Sequence, residues 1–349
     1  MTAIAEQLQS ERRPGVAASN ARRMAGLVAC LAVLGVTVLF SIAVGSRDIP
    51  LPVVIDALVA YDDSNDHAII QTLRLPRTVL GLMIGAALGI SGALIQALTR
   101  NPLADPGILG VNAGAQFFVL IAVGFFGLTS LQSYIWFAFA GAIVTTVVVY
   151  YVGSAGRGGA TPISLTLAGV AIGAILAGVS TGMTLLNPSA FDRMRFWSAG
   201  ALSGGSYEAV VTVAPFLILG LGLAALMARP LNAVALGDDL ARSLGANIVR
   251  VRTVVVVAVT LLAGGATAAT GPIGFVGLMV PHVARWIVGP DQRWIFAYTV
   301  VLAPVLLLVS DIVGRVIMRP GEIQVAIVTA FIGAPVLILL ARRRGVSGL

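Results

Sequence analysis

Long apolar runs, most of them close to the length of a membrane-spanning helix, follow one another along the whole chain. A helix needs about 20 apolar residues to cross the hydrocarbon core of a bilayer. Of the 349 residues, 58% are hydrophobic and only 11% are charged, whereas soluble domains carry about 25% charged residues. A soluble fold has no means of burying so much apolar surface. The chain is therefore predicted to be an all-α integral membrane protein.

Hydropathy divides the chain into about ten predicted transmembrane helices. We expect these spans near 26–45, 69–98, 105–123, 132–153, 162–186, 208–228, 248–270, 275–289, 294–314 and 322–341. The eighth is short and interrupted by Gly and Pro, a backbone that is tolerated at membrane depth only beside protein or a water-filled cavity. The first is longer than the core of a signal peptide, so it is interpreted as an uncleaved span. The expected organisation is an N-terminal tail at 1–25, a ten-helix domain at 26–341 and a C-terminal tail at 342–349.

The distribution of arginine predicts the orientation. The 22 basic side chains are all arginine, and they lie mainly at the ends of apolar segments. With the N-terminus inside, most of them fall on the cytoplasmic side, as the positive-inside rule requires. Both termini are then cytoplasmic and the number of spans is even. The arginines do not form one basic block, so membrane lipid is expected as a partner and nucleic acid is not.

Little in the sequence supports catalysis. There is no GxxxxGK[ST] phosphate loop and no HExxH zinc motif. Cys30 is the lone cysteine, His67 is expected in an exposed loop, and His282 is expected to pack or hydrogen-bond rather than bind a metal. Asp311 and Glu322 are expected near helix ends, where their charges reach water. These features favour a transport subunit that takes its energy from a partner, with an ion-coupled secondary transporter and a membrane enzyme as alternatives.

Several long motifs carry a resemblance to a known family. They are LRLPR at 73–77, GISG at 89–92 with Gln96, RNPLADP at 100–106, LG at 109–110, GPIGFVGL at 271–278, PHVAR at 281–285, Asp311, Arg315, Glu322 and GAP at 333–335. Together they resemble FecCD-type permeases, the membrane subunits of type II ABC importers for iron–siderophores, haem and vitamin B12. The resemblance extends over essentially the whole chain after residue 25.

The resemblance implies an assembly and a function. The family fold has ten spans, with both termini inside. It implies two permease subunits, identical or homologous, around one pathway, with two cytoplasmic ATPase subunits and an extracytoplasmic substrate-binding protein. ATP would be bound by the separate subunit, so no cofactor is expected here and the chain is not expected to be an enzyme. The expected function is that of the permease of an iron(III)–siderophore importer in a bacterial inner membrane, with cobalamin or haem as the alternative cargo.

The loop at 229–247 matches the coupling helices of the family and is expected to form two short helices broken at Gly237 and Gly245. The acidic Asp238 and Asp239 are expected in the first turn of the second helix, where the helix dipole favours anions. The alternative is a solvated loop. The residues expected to contact the ATPase are Leu236, Gly237, Asp238, Asp239, Ala241, Arg242, Leu244 and Gly245.

Three further groups of residues are assigned by the resemblance. Arg74, Arg77 and Arg315 are expected to pair with glutamates of the binding protein; the alternatives are membrane anchoring or an internal pairing with Asp311 or Glu322. The expected cytoplasmic gate lies in two loops, 101–107 and 158–164, that proline and glycine keep non-helical. It comprises Asn101, Pro102, Leu103, Ala104, Asp105, Pro106, Thr161 and Pro162. Plain turn chemistry is its alternative. The family motif comprises Gly271, Pro272, Gly274, Phe275, Gly277, Pro281, His282 and Arg285. The small residues at 264–271 are expected mostly to pack helices together, with a few of them lining the channel.

Overall fold

The computed structural model describes residues 19–342 except 129, 156–160, 189–191, 193, 194 and 196. Within these residues the chain forms helices joined by turns, and no strand occurs. Three expectations lie partly or wholly outside this part of the chain: most of the N-terminal tail, residues 158–160 of the second gate loop, and the C-terminal tail after residue 342.

The helices follow one another with short connections. In chain order they are α1 (Asn20–Ala43), α2 (Leu51–Val59), α3 (Asn65–Thr99), α4 (Val111–Gly124), α5 (Leu131–Ser154), α6 (Pro162–Leu186), α7 (Tyr207–Val234), α8 (Asp238–Ser243), α9 (Ile248–Thr270), α10 (Val276–Val288), α11 (Gln292–Ile317) and α12 (Val325–Arg342). A short 3-10 helix, Pro106–Leu109, precedes α4.

Seven helices are long and apolar enough to cross a membrane, and three shorter apolar helices lie among them. The long ones are α1, α3, α5, α6, α7, α9 and α11, and the shorter ones are α4, α10 and α12. Taken in order, they correspond to the ten predicted spans, which confirms the all-α membrane fold. The shortest, α10, has 13 residues and is therefore about 20 Å long. It is shorter than the hydrocarbon core of about 30 Å, as its sequence indicated.

Helix α3 is the centre of the bundle. Its most apolar stretch is 83% buried, and it packs against α7, α9, α10 and α11. Small residues permit this close packing, because Gly81, Gly85 and Gly89 recur at every fourth position on one face. A Cβ at Gly85 would lie 2.6 Å from the Pro304 Cα, and a Cβ at Gly89 would lie 2.5 Å from the Ala303 Cβ. The glycine face of α3 is thus in backbone contact with α11.

The bundle has two functionally distinct ends. After its π-helical turn, helix α3 runs from Arg77 towards Arg100, which follows its last residue. We call these the Arg77 end and the Asp238 end, because Arg100 contacts Asp238. Helix α1 ends beside Arg74 and α12 begins after Glu322, both at the Arg77 end. The first and last described residues therefore lie together at the Asp238 end, as an even number of spans requires.

Two boundaries differ from the sequence expectation at the start of the chain. Helix α1 begins at Asn20 rather than near residue 26, because the Ser19 side chain caps it by accepting from the Arg22 N–H. Helix α3 begins at Asn65 rather than near residue 69, and it contains a π-helical turn at Ile70–Arg74.

The expectation that His67 is exposed was wrong: its side chain is buried and its Nδ1 accepts from the Asp62 N–H.

The loop at 229–247 also differs from its prediction. Helix α7 continues to Val234, through Pro230, so the first of the two expected short helices is part of a long span. Leu231 and Val234 are buried, and this packing accounts for the extension. Only α8 stands alone. It is bounded by Gly237 and Gly245, whose φ angles of 106° and 84° confirm the predicted breaks.

Candidate functional site

At the Arg77 end, one guanidinium joins two carboxylates from different elements. Arg77 donates from Nε and Nη2 to Asp311 at 3.0 and 2.7 Å, and from Nη1 to Glu322 at 2.8 Å. The Asp311 side chain is 1% exposed and that of Glu322 is 28% exposed. Asp311 also pairs with Arg315 at 3.1 Å. The expectation that the charge of Asp311 reaches water was wrong, because Asp311 lies inside α11 and between two arginines.

The other arginines at this end hold the C-terminus of α1. Arg74 donates from Nη1 to the carbonyl oxygens of Ile42 and Ala43 at 3.0 and 2.6 Å. Arg315 donates from Nη1 to those of Ser41 and Val44, both at 2.9 Å. The last carbonyls of a helix have no partner within the helix and carry its negative dipole end. The last turn of α1 has no basic residue of its own. Arginines from α3 and α11 therefore donate hydrogen bonds to its carbonyl oxygens instead.

All three arginines predicted to dock a binding protein thus have internal partners. Arg74 and Arg315 are only 5% and 2% exposed, and Arg77 pairs with both carboxylates that the sequence had offered as alternatives. The sequence could not show with which arginine each of these carboxylates would form an ion pair. The docking role of the three arginines stays a prediction.

At the Asp238 end, α8 presents an apolar edge. Leu236, Leu240 and Leu244 are 50%, 49% and 63% exposed, whereas Ala241 between them is fully buried. Asp238 and Asp239 lie in the first turn of α8, as predicted. Asp239 pairs with Arg242 within the helix and is solvent-exposed. The segment is therefore an anchored helix with exposed leucines, which is the character of an interaction surface.

The expected gate residues form well-defined turns. Asn101 accepts from the Leu103 N–H through its side-chain oxygen at 3.0 Å, and Asp105 accepts from the Gly107 N–H at 2.7 Å. Burial raises the pKa of the Asp105 carboxyl, and the hydrogen bond from Gly107 opposes part of that rise. Plain turn chemistry, the alternative noted from the sequence, accounts for these contacts. Gating by this loop and by Pro102, Leu103 and Ala104 stays a prediction.

The expectation that proline keeps both gate loops non-helical was wrong at two positions. Pro106 begins the short 3-10 helix and Pro162 begins α6. Proline suits a helix start, because the missing N–H would have no partner there and φ is already helical. Thr161 caps α6, with reciprocal hydrogen bonds to Ser164.

The family motif forms a junction between α3, α9 and α10. Gly271 ends α9 at a φ of 72°, and a Cβ there would overlap the Trp197 carbonyl oxygen. A Cβ at Gly277 would lie 2.6 Å from the Leu88 carbonyl oxygen of α3. The Gln96 amide donates to the carbonyl oxygens of Gly277 and Leu278 at 3.2 and 3.0 Å. Gln96 and the motif glycines therefore join the central helix to the short α10.

The remaining motif residues lie on or next to α10. The ring of His282 is buried and packs edge-on against Trp286 at 5.0 Å, in keeping with a packing role. No set of three His, Cys, Asp or Glu side chains suited to a metal occurs in the described part of the chain. Residues 264–270 belong to α9 and are buried, which confirms helix packing for that stretch. The other motif members are Pro272, Gly274, Phe275, Pro281 and Arg285.

One feature was not foreseen from the sequence. An open groove of about 710 Å³ lies between the residues after α6 and the outer surface of α12. Its walls are small or apolar and include Ala199, Pro272, Ala330 and Phe331. Phe331 is 84% exposed. The sequence feature that corresponds to the groove is the recurrence of a small residue at every fourth position along α12, at 326, 330 and 334.

A buried central helix, ten apolar segments and an anchored short helix at one end define a multi-pass membrane protein of the permease type. Residues 33–343 match the FecCD transport family, and the chain belongs to this family. It is 47% identical over 334 residues, 95% of this chain and 98% of the relative, to the ferric enterobactin transport system permease protein FepD of Escherichia coli (strain K12).

Two further comparisons agree with this membership. The chain is 40% identical over 303 residues to the Fe(3+)-citrate import system permease protein YfmD of Bacillus subtilis (strain 168), covering 87% of this chain and 90% of the relative. A solved structure described as an inward-facing metal-chelate type ABC transporter superposes with a TM-score of 0.81 at 25% identity, over 90% of this chain and 98% of the other.

Proposed function

We propose that the chain is the transmembrane permease subunit of an ATP-driven importer and that its cargo is an iron(III)–siderophore. The observation that carries this proposal is the 47% identity to a ferric enterobactin permease over nearly the full length of both chains. Relatives named for ferric citrate and ferric hydroxamate support the same class of cargo. The cargo would be a large polar iron chelate that requires a wide pathway with weak contacts.

The proposal includes partners that supply energy and selectivity. A second permease, identical or homologous, would complete the pathway, two ATPase subunits would bind ATP on the cytoplasmic side, and an extracytoplasmic binding protein would deliver the chelate. The permease itself would need no cofactor and carry out no catalysis. We place it in the inner membrane of a bacterium, with both termini and α8 in the cytoplasm. The common position of the described chain ends and α8 supports this orientation.

The two ends of the bundle would have different tasks. The exposed leucines of α8 suit a groove on an ATPase, because burying them there removes apolar surface from water. The groove beside α12 has few polar groups, so it would contact a passing chelate without trapping it. At the Arg77 end, docking of the binding protein would involve a surface already organised by Arg77, Asp311 and Glu322.

A proton-coupled carrier working alone is the alternative from another class, and the ion pairs argue against it. An intramembrane carboxylate that carries protons must be free to bind and release them. Asp311 is held by two arginines and Glu322 by one. Their role is structural, so neither carboxylate is free to act as a proton carrier. Haem and cobalamin remain cargo alternatives that the binding protein, rather than this chain, would select.

Co-purification tests the proposal. This chain, tagged, is expressed with the ATPase and binding protein from the same transport system, extracted in mild detergent and reconstituted. We expect the ATPase to co-purify and its ATP hydrolysis to rise when the binding protein carries a ferric siderophore. Stimulation by haem or cobalamin instead would overturn the cargo assignment. Absence of any associated ATPase would overturn the importer assignment.

A further inference from the structure

The carboxylate of Asp238 is shared by two arginines that come from different parts of the chain. Its Oδ1 accepts from Arg100 Nη2 at 2.7 Å, and its Oδ2 accepts from Arg252 Nη2 at 2.6 Å. Each oxygen thus has a guanidinium of its own. Hydrogen bonds between charged groups at this separation are among the strong polar contacts of proteins. Asp238 is the first residue of α8, so these bonds hold the very start of that helix.

The two arginines belong to the two most buried helices. Arg100 follows the last residue of α3 in the left-handed conformation, with a φ of 51°. Arg252 lies in the second turn of α9, whose most apolar stretch is 78% buried, against 83% for α3. Arg100 also begins the loop 100–110, which leads to α4. Through one carboxylate, α8 is therefore tied to the ends of both central helices and to this loop.

Few side chains of α8 are buried. Of its six residues, only Ala241 is buried. The neighbouring carboxylate of Asp239 does not help, because it is fully exposed and pairs with Arg242 of the same helix. The flanking Gly237 and Gly245 have positive φ angles and give the segment sharp bends rather than continuous helical connections. Asp238 is thus the polar side chain that joins α8 to the ends of α3 and α9.

We propose that Asp238 is a positioning residue for energy coupling: it joins the ATPase-facing α8 to α3 through Arg100 and to α9 through Arg252. The inference rests on the proposed function, since it requires an ATPase at α8. Asp238 itself faces inward and leaves the exposed leucines to contact that partner. In the variant Asp238→Asn, α8 keeps its shape, but the two guanidiniums lose their shared anion and face each other without it. Less of the movement of α8 is then passed on to α3 and α9.

The experiment measures coupling separately from assembly. The variant Asp238→Asn is reconstituted with ATPase and binding protein, and three quantities are compared with the unaltered complex: ATPase co-purification, ATP hydrolysis, and substrate transported per ATP hydrolysed. We expect co-purification and hydrolysis to persist, and transport per ATP to fall roughly threefold or more. Arg293→Gln serves as the control, because it breaks the exposed Arg293–Asp291 pair at another connection of the same end and is expected to leave all three quantities unchanged.

A double-mutant comparison tests the pairing itself. If Arg252 acts through Asp238, the combination Asp238→Asn with Arg252→Gln lowers transport per ATP little beyond Asp238→Asn alone, within about twofold. Arg100→Gln and Arg252→Gln each remove one of the two arginine contacts of Asp238. If Asp238→Asn fails to accumulate, transport per ATP is measured in these two variants instead. Unchanged transport per ATP in Asp238→Asn, or independent losses in the double variant, would overturn the proposal. So would loss of ATPase co-purification, which would make Asp238 part of the docking surface. Absence of ATP-dependent transport in the unaltered complex would instead refute the proposed function.

Discussion

Arg77 and Asp311, which are 234 residues apart in the chain, form a bidentate ion pair that joins two helices at one end of the bundle. Arg77 belongs to the central helix α3 and Asp311 to α11, whose packing on α3 is permitted by three glycines. The pair is buried on both sides, with side-chain exposures of 12% and 1%. A planar guanidinium suits this arrangement, because it binds both carboxylate oxygens at once.

The first prediction concerns the two carboxylates that share Arg77. Asp311→Asn leaves Arg77 and Arg315 without their common anion in a buried site, so we expect a loss of about 3–5 kcal/mol in the free energy of unfolding. Glu322→Gln removes a partly exposed partner and should cost about 1 kcal/mol or less. Thermal unfolding of the purified subunit in detergent compares the two. Equal losses of stability in the two variants would contradict the difference in burial between Asp311 and Glu322.

The second prediction concerns the arginines at the end of α1. Arg315→Gln removes a buried guanidinium that serves two carbonyl oxygens and Asp311, so it should lower the unfolding temperature markedly. Arg319→Gln is the matched control: Arg319 is 35% exposed, bonds Gly45 O and pairs with the exposed Asp48, so its loss should be small.

The same variant separates anchoring from docking. If Arg315 mainly anchors α1, Arg315→Gln complexes that do assemble should respond normally to the binding protein. A variant of unchanged unfolding temperature that lost stimulation by the binding protein would show the reverse, and would support the docking role that the family resemblance implies.

The third prediction tests the contact between α3 and α10. A Cβ at Gly92 would overlap the Gly277 carbonyl oxygen, and backbone cannot move aside as a side chain can. We expect Gly92→Ala to cost about 1–3 kcal/mol through overpacking. Gly35→Ala is the control, since nothing lies within 4 Å of a Cβ at that position in α1. Helix propensity alone should make it neutral or stabilising by up to about 1 kcal/mol. Equal unfolding temperatures for the two variants would refute the close contact.

The fourth prediction uses the pKa of Asp105. Burial raises this pKa above its ordinary value of 3.8. The folded protein therefore binds the proton more tightly than the unfolded chain does. The resulting stability is present below the unfolded pKa and is lost as the pH rises through the folded pKa.

Asp105→Asn provides the measurement. Asparagine accepts the same hydrogen bond from the Gly107 N–H and has no proton to lose. The stability of the unaltered protein minus that of the variant should therefore fall as the pH is raised above the ordinary Asp pKa of 3.8. Asp105→Ala also has no proton to lose but lacks the cap, so it should be about 1 kcal/mol less stable than Asp105→Asn at every pH. A difference between the unaltered protein and Asp105→Asn that stays constant or rises with pH would contradict the raised pKa.

Hydropathy was sufficient for the number and order of the helices, because a backbone in lipid must satisfy its own hydrogen bonds and helices do so locally. The glycines themselves predicted the breaks at Gly237 and Gly245, because glycine permits a positive φ. The packing face of α3 formed by Gly81, Gly85 and Gly89 was not predicted, although the four-residue spacing of these glycines is visible in the sequence.

Pairings between distant residues could not be read in this way. Nothing in the local sequence of Arg74 or Arg315 indicates that both reach the last turn of α1, because that contact depends on how three helices pack. The same limit applies to Asp238, whose two arginines lie 138 and 14 residues away. The extension of α7 to Val234 was missed because tertiary burial of Leu231 and Val234 outweighed the proline at 230.

Transport by the complete assembly tests the central claim most directly. The complex of permeases and ATPases is reconstituted in proteoliposomes with ATP on the ATPase side, the binding protein on the other side, and a radiolabelled ferric siderophore as cargo. The account predicts uptake that requires both ATP hydrolysis and the binding protein, and that a proton gradient neither drives nor replaces. Uptake driven by an imposed proton gradient in the absence of ATP would contradict it.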